Sequence, residues 1–185
     1  MKNKILIVWL LIAFAFPLAI FSEDSKPETF SATAVNTTGP APHVSLRIYI
    51  TSYTPDEEVV QLANILKTQG PDALLKAINK VERGRITPLR KTGTDVGFVR
   101  SRPTENGGRH ITMVMERPIA FAELWRGSRS TDYPFGILQM DVDKDGKGSG
   151  TLMVAAKIEF TKDNTVEVEN YSVAPMRLMG LNKLK

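Results

Sequence analysis

Hydrophobic and polar residues along this chain fall into three regimes. From Ile5 to Phe21 the residues are apolar without a charge. From Glu23 to His43 they show no apolar period. From Val44 onward, periods of two and of three to four succeed one another. In this third regime Val44, Leu46, Ile48 and Ile50 alternate with Ser45, Arg47, Tyr49 and Thr51, which predicts a strand with one buried face. Thr54-Pro55-Asp56-Glu57 reads as a helix start, with Thr54 as the cap, Pro55 in the first turn and Glu57 completing a capping box. Val59, Leu62, Ala63 and Leu66 then form one apolar stripe that ends at Gly70. Pro71 opens a second helix with Leu74, Leu75, Ile78 and Val81 on its inner side, ending at Gly84. The short Gly-Pro joint predicts an antiparallel helix pair.

The rest of the pattern is that of β structure. Residues 85–91 and 96–102 are short strand candidates, and Asn106-Gly107-Gly108 is a strong turn signal. Residues 110–116 alternate, with Ile111, Met113 and Met115 on one face. Phe121, Leu124 and Trp125 stand at helical spacing and predict a short helix over 118–126. Residues 135–142 and 152–160 are the clearest strands, and a last strand is expected over 166–173 after the turn at Lys162-Asp163-Asn164. The predicted fold class is α+β: one strand, an antiparallel helix pair, then an antiparallel meander of five or six strands, with the helices packed on one face of a curved sheet.

The first regime follows Met1-Lys2-Asn3-Lys4 and is itself followed by Ser22-Glu23. A basic start, an apolar segment and a small residue before a polar stretch make a secretory signal peptide over residues 1–22, with cleavage after Ser22. The alternative is an uncleaved N-terminal anchor, but the apolar run of 17 residues is shorter than the roughly 20 that span a bilayer, and Pro17 interrupts it. No Cys follows it to take a lipid. The expected location is therefore secreted or periplasmic. Residues 23–43, rich in Ser, Thr and Pro, read as a flexible tether, and Asn36-Thr37-Thr38 matches the N-glycosylation pattern. Residues 44–185 are then a single α+β domain.

Charge adds little to this picture. The chain has 24 Lys and Arg against 20 Asp and Glu. Removing Lys2 and Lys4 with the signal leaves 22 against 20, a net charge of +2, which argues neither for nucleic acid nor for an anionic membrane. The absence of cysteine excludes disulfides, thiol catalysis and Cys-type zinc sites, and two histidines, His43 and His110, exclude a multi-histidine metal centre.

Three local patterns are candidates for chemistry. Asp141-Val142-Asp143-Lys144-Asp145-Gly146 places carboxylates at positions 1, 3 and 5 with Gly at 6, as a calcium loop does. Its twelfth position is Leu152 rather than Glu, and strands flank it, so a polar hairpin loop is the competing reading. The stretch from Arg83 to Arg129 holds ten basic residues against four acidic ones. It reads either as a face for an anionic partner or as solvent-facing strand positions that discourage edge pairing. Trp125, Tyr133 and their apolar neighbours are candidates for a ligand pocket or for a core plug.

Catalysis has little support. His110 lies opposite Ile111 and Met113 with no Ser placed to use it, and Glu116, Glu123 and Asp132 offer a carboxylate pair only in principle. The leading expectation is a non-catalytic binding or structural module without a cofactor. Its partner would be an anionic envelope component or another exported protein, engaged through Trp125, Tyr133, Arg100 and Arg102. The alternatives are a small carboxylate-dependent hydrolase and a module stabilised by calcium at Asp141, Asp143 and Asp145.

Overall fold

A computed structural model describes residues 26–37, 43–117, 132–161, 165–171 and 174–185. Its elements are β1 (Glu28–Val35), β2 (Val44–Ile50), α1 (Asp56–Gln69), α2 (Pro71–Ile78), β3 (Gly84–Pro88), β4 (Thr94–Pro103), β5 (Arg109–Glu116), β6 (Phe135–Val142), β7 (Lys147–Phe160), β8 (Val166–Asn170) and β9 (Met176–Leu184). The expected helix over 118–126 and the signal segment lie outside the described residues.

The open curved sheet expected from the sequence is overturned. Neighbouring strands run β6-β5-β4-β3-β2-β1-β9-β7, and β6 also pairs with β7, so eight antiparallel strands close into a barrel. Strand β8 stays outside the ring, paired to the second half of β7 from Ala156↔Asn170 to Phe160↔Val166. Closure depends on β1 and β9, which pair with each other and bridge β2 to β7. Neither was expected as a strand.

Strand β1 corrects the tether assignment. Phe30, Ala32 and Ala34 point inward and are buried, while Thr29, Ser31 and Thr33 alternate outward. The Ser, Thr and Ala composition that suggests a linker is here a strand whose small inward residues fit a narrow barrel. Strand β9 is hidden for a different reason. Leu178 and Leu181 are both buried although three positions apart, because the register slips there and Gly180 sits at φ 61°. A bulge at a left-handed glycine breaks the period of two that a strand otherwise shows. Strand β4 carries a similar slip, so Val96 and Val99 both face in.

An eight-stranded barrel has an interior just wide enough for side chains to fill. Phe30, Ile48, Ile50, Val96, Val99, Ile111, Met113, Met115, Leu138, Met140 and Leu178 fill this one and are at most 1% exposed. A second apolar cluster lies on the outside. There Leu62, Leu66, Leu74 and Ile78 of the helices meet Val114, Phe135, Ile137, Met153, Ala156 and Ile158 of the wall.

The helix pair differs from expectation in detail. Asp56, Glu57 and Glu58 occupy the first turn of α1 and suit the positive end of its dipole. Thr54 does not cap it. Thr54 is buried instead, accepting from the Val99 amide at 3.0 Å and donating its own amide to the Val99 carbonyl at 2.7 Å. It continues the sheet beside β4, where β3 is too short to reach. Gly70, at φ 85°, joins the helices. Helix α2 stops at Ile78, so Val81 is 37% exposed rather than inward.

Candidate functional site

Because neighbouring strands run antiparallel, the ring brings the starts of β1, β5 and β7 and the ends of β6 and β9 to one mouth. The inward apolar series of three strands end there in charges. Glu28 continues Phe30-Ala32-Ala34, Arg109 continues Ile111-Met113-Met115, and Lys183 follows Leu181. Tyr53, just after β2, meets them. The Tyr53 hydroxyl donates to Glu28 Oε2 at 2.6 Å, Arg109 Nη2 contacts both carboxylate oxygens at 3.0 and 3.1 Å, and Lys183 Nζ reaches Oε1 at 2.5 Å. Arg109 Nη1 also donates to the Tyr53 oxygen at 3.1 Å.

The electrostatics follow from this geometry. Burial by itself would raise the Glu28 carboxyl, but the hydrogen bonds from Lys183, Tyr53 and Arg109 outweigh it and hold Glu28 below the usual carboxylate range. Burial and the Glu28 charge push the Tyr53 phenol well up, so it remains a donor. The network ties four segments together across the mouth and is a structural clamp. Sequence reasoning did not single it out. The signal was there in the parity: each charged residue occupies an inward position of an otherwise apolar series.

The candidate calcium loop is the β6–β7 hairpin. Asp143 Oδ1 accepts from the amides of Asp145 at 2.9 Å and Lys147 at 2.8 Å, and Gly146 turns the chain at φ 81°. Asp141 points away to His110 Nδ1 at 2.7 Å across the β5–β6 pair. These carboxylates therefore have structural tasks. Among the described residues no three His, Cys, Asp or Glu side chains converge to hold a metal.

The Arg-rich run does not gather into one patch. Arg83 is nearly buried in an ion pair with Glu58. Arg85 pairs with Asp95 through Nε at 2.7 Å, Arg100 pairs with Asp56, and Arg109 belongs to the mouth. Arg126 and Arg129 lie outside the described residues. Arg102 is exposed on the outer wall beside His110.

Trp125 lies outside the described residues. Tyr133 packs on Tyr171, with ring centroids 4.9 Å apart and planes at 57°. A hydrogen bond to Glu169 pushes its phenol up to about 12. Of the three carboxylates considered for hydrolysis, Glu116 accepts from Asn79 Nδ2 at 2.9 Å, Asp132 sits near Lys157, and Glu123 is outside the described residues.

The outer wall is ordered by strand register. One cross-strand row reads Arg102, His110, Asp141, Ser149, and the next reads Arg100, Thr112, Gln139, Thr151, Arg177. The row beyond, Phe98, Val114, Ile137 and Met153, belongs to the helix-covered core. Inward apolar and outward polar is the reverse of a membrane-spanning barrel. No helix among the described residues is long and apolar enough to cross a membrane.

Fold and site thus define a closed antiparallel barrel filled by its own side chains, clamped by charge at one mouth and covered by two helices on part of its wall. In comparisons with protein-family models, curated proteins and solved structures, nothing matches this chain.

Proposed function

We propose that the chain is an exported, non-catalytic binding module that engages an anionic partner through the outer wall of its barrel. One observation carries this reading. The inward positions are occupied by apolar side chains, while the outward rows toward the mouth stay polar, with the exposed Arg102 and Arg177 making no ion pair among the described residues. A lumen that holds its own core leaves the surface as the place for recognition. The basic start, apolar run and Ser22-Glu23 junction support export.

The test is a set of thermal melts of the full chain with polygalacturonate, heparin, polyphosphate, calcium and EDTA. A rise with an anionic polymer at low salt, fading in about 0.5 M salt as screening shortens the reach of charge, is the expected result. A melting temperature unmoved by every polyanion overturns the reading. A rise with calcium alone would replace it with a cation-stabilised module.

A further inference from the structure

A closed ring has no edge, but β8 stands outside it. It pairs with β7 on one side, and no other strand among the described residues meets its far side. The register tells which backbone groups that side presents. The Thr161 amide donates to the Thr165 carbonyl at 2.8 Å and the Tyr171 amide to the Ala155 carbonyl at 3.0 Å, so Glu167 and Glu169, in the same parity, turn their backbone groups toward β7. Val166 and Val168 turn theirs, amide and carbonyl alike, to the far side. The side chains divide with the same parity. Val166 and Val168 lie with Ile158 and Phe160 in the outer apolar cluster. Glu167 and Glu169 lie on the opposite face, across from Glu159 and Lys157 of β7. Glu159 thus stands directly opposite Glu167, an arrangement that costs stability. Lys157 Nζ is engaged by Glu159 at 2.6 Å, Glu169 bonds to the Tyr133 hydroxyl, and Glu167 has no cation among the described residues. Asp132 adds another negative charge near Lys157.

We propose that the far side of β8 is a docking edge for an extended polypeptide in which basic residues alternate with apolar ones. Such a segment adds one strand to the sheet, and its backbone pairs with the open groups of Val166 and Val168. Residues directly opposite each other share a face. The partner's apolar side chains therefore extend the layer of Val166 and Val168, and its basic side chains stand beside Glu167 and Glu169. The added cation neutralises Glu167, which the free chain leaves facing Glu159. A second copy of this chain does not fit, because pairing two β8 edges sets Glu167 and Glu169 against their own counterparts. This edge is independent of the outward arginines of the barrel wall and selects the opposite charge.

The experiment titrates the full chain into a short fluorescent peptide that alternates Lys with Val and follows anisotropy. Two companion peptides accompany it: the same one N-methylated at its Val amides, which keeps the charge but removes the donors that face β8, and one that alternates Glu with Val. The variants are Val168→Pro, which removes an edge amide without touching a bond to β7, Glu167→Gln, and Glu105→Gln in the distant β4–β5 turn. Circular dichroism on each variant verifies the fold. We expect the Lys–Val peptide to bind and both companions to fail. Val168→Pro should weaken binding about tenfold and Glu167→Gln about threefold, with Glu105→Gln unchanged. Equal binding of the methylated peptide overturns strand addition in favour of plain charge attraction. Equal binding of the Glu–Val peptide, or binding indifferent to Glu167→Gln, overturns the basic occupant. A dimer in sedimentation that Val168→Pro abolishes assigns the edge to a second copy and overturns the proposal, as does the failure of every peptide to bind. Should Val168→Pro not fold, the methylated peptide and Glu167→Gln still decide.

Discussion

The molecule has two apolar cores, and they are held in different ways. The inner one is enclosed by a ring of strands, so each side chain is fixed by neighbours on strands far apart in sequence, such as Phe30 on β1 and Leu178 on β9. The outer one is a single layer, with the faces of α1 and α2 laid over β5, β6 and β7. Its buried leucines keep a little exposure, 7% for Leu62 and 8% for Leu74, where most inner residues have none. A ring shares its core among all its strands. A layer shares its core only with what lies directly beneath it. The inner core should therefore unfold as one unit, and the outer core should open locally first.

Truncation in the inner core should have the largest effect. Phe30→Ala is expected to cost about 3–5 kcal/mol in urea unfolding, with far-UV and near-UV signals lost together. Separate transitions would show that the barrel is not one cooperative unit. Leu74→Ala in the outer core should cost about 2 kcal/mol. In hydrogen exchange it should speed the amides of α1 and α2 while leaving those of β1 and β9 unchanged. Equal loss of protection in β1 would erase the distinction between the cores.

Gly97 sharpens the comparison from the other side. It sits on β4 under the Ile78 carbonyl, so close that a β-carbon there has no room. Gly97→Val should push the end of α2 off the wall at about 1–3 kcal/mol, again with local rather than global loss of protection.

The charged mouth clamp ranks below both cores. Glu28→Gln should cost about 1–2 kcal/mol, because Arg109 and Lys183 retain contact with water. Glu28 is held below the ordinary carboxylate range in the folded chain. Its contribution is then complete above the unfolded value of about 4.3 and is lost as pH falls through the folded value. The stability gap between wild type and Glu28→Gln should therefore narrow as acid is added below about pH 4.3. A gap that stays constant down to pH 2 would mean that the charge of Glu28 is not what the clamp uses. The smallest effect belongs to the outer row: Arg102→Gln should change stability by less than about 0.5 kcal/mol, since its side chain makes no ion pair among the described residues.

How much of this was legible depended on how regular each segment is. Strand β2 alternates strictly and β5 nearly so, so their inward residues Leu46, Ile48, Ile111 and Met113 could be read directly. Strand β6 was legible as a strand only, because Phe135, Ile137, Leu138 and Met140 are buried on both of its faces. The helix stripe around Leu62, Leu66, Leu74 and Ile78 was equally plain. Strands β1 and β9 were not, because Ser, Thr and Ala imitate a linker in one and the Gly180 bulge breaks the alternation in the other. Arg100 and Arg102 were picked out as surface residues. Their alignment with Thr112, Gln139, Thr151 and Arg177 was not, because register between strands is set by pairing partners that the local pattern does not specify.

The sequence by itself determined the elements whose periodicity is local: which faces of β2, β5, α1 and α2 are apolar, that residues 135–142 form a strand, where glycines turn the chain, and that the chain holds no cysteine and only two histidines. Tertiary structure decided closure. Whether a meander remains an open sheet or becomes a barrel depends on the pairing of β1 with β9, segments separated by most of the chain. That pairing is favoured by the apolar surface the whole ring buries together. The clamp of Glu28, Tyr53, Arg109 and Lys183 follows from the same closure, because only a closed ring brings Arg109 on β5 to Glu28 on β1.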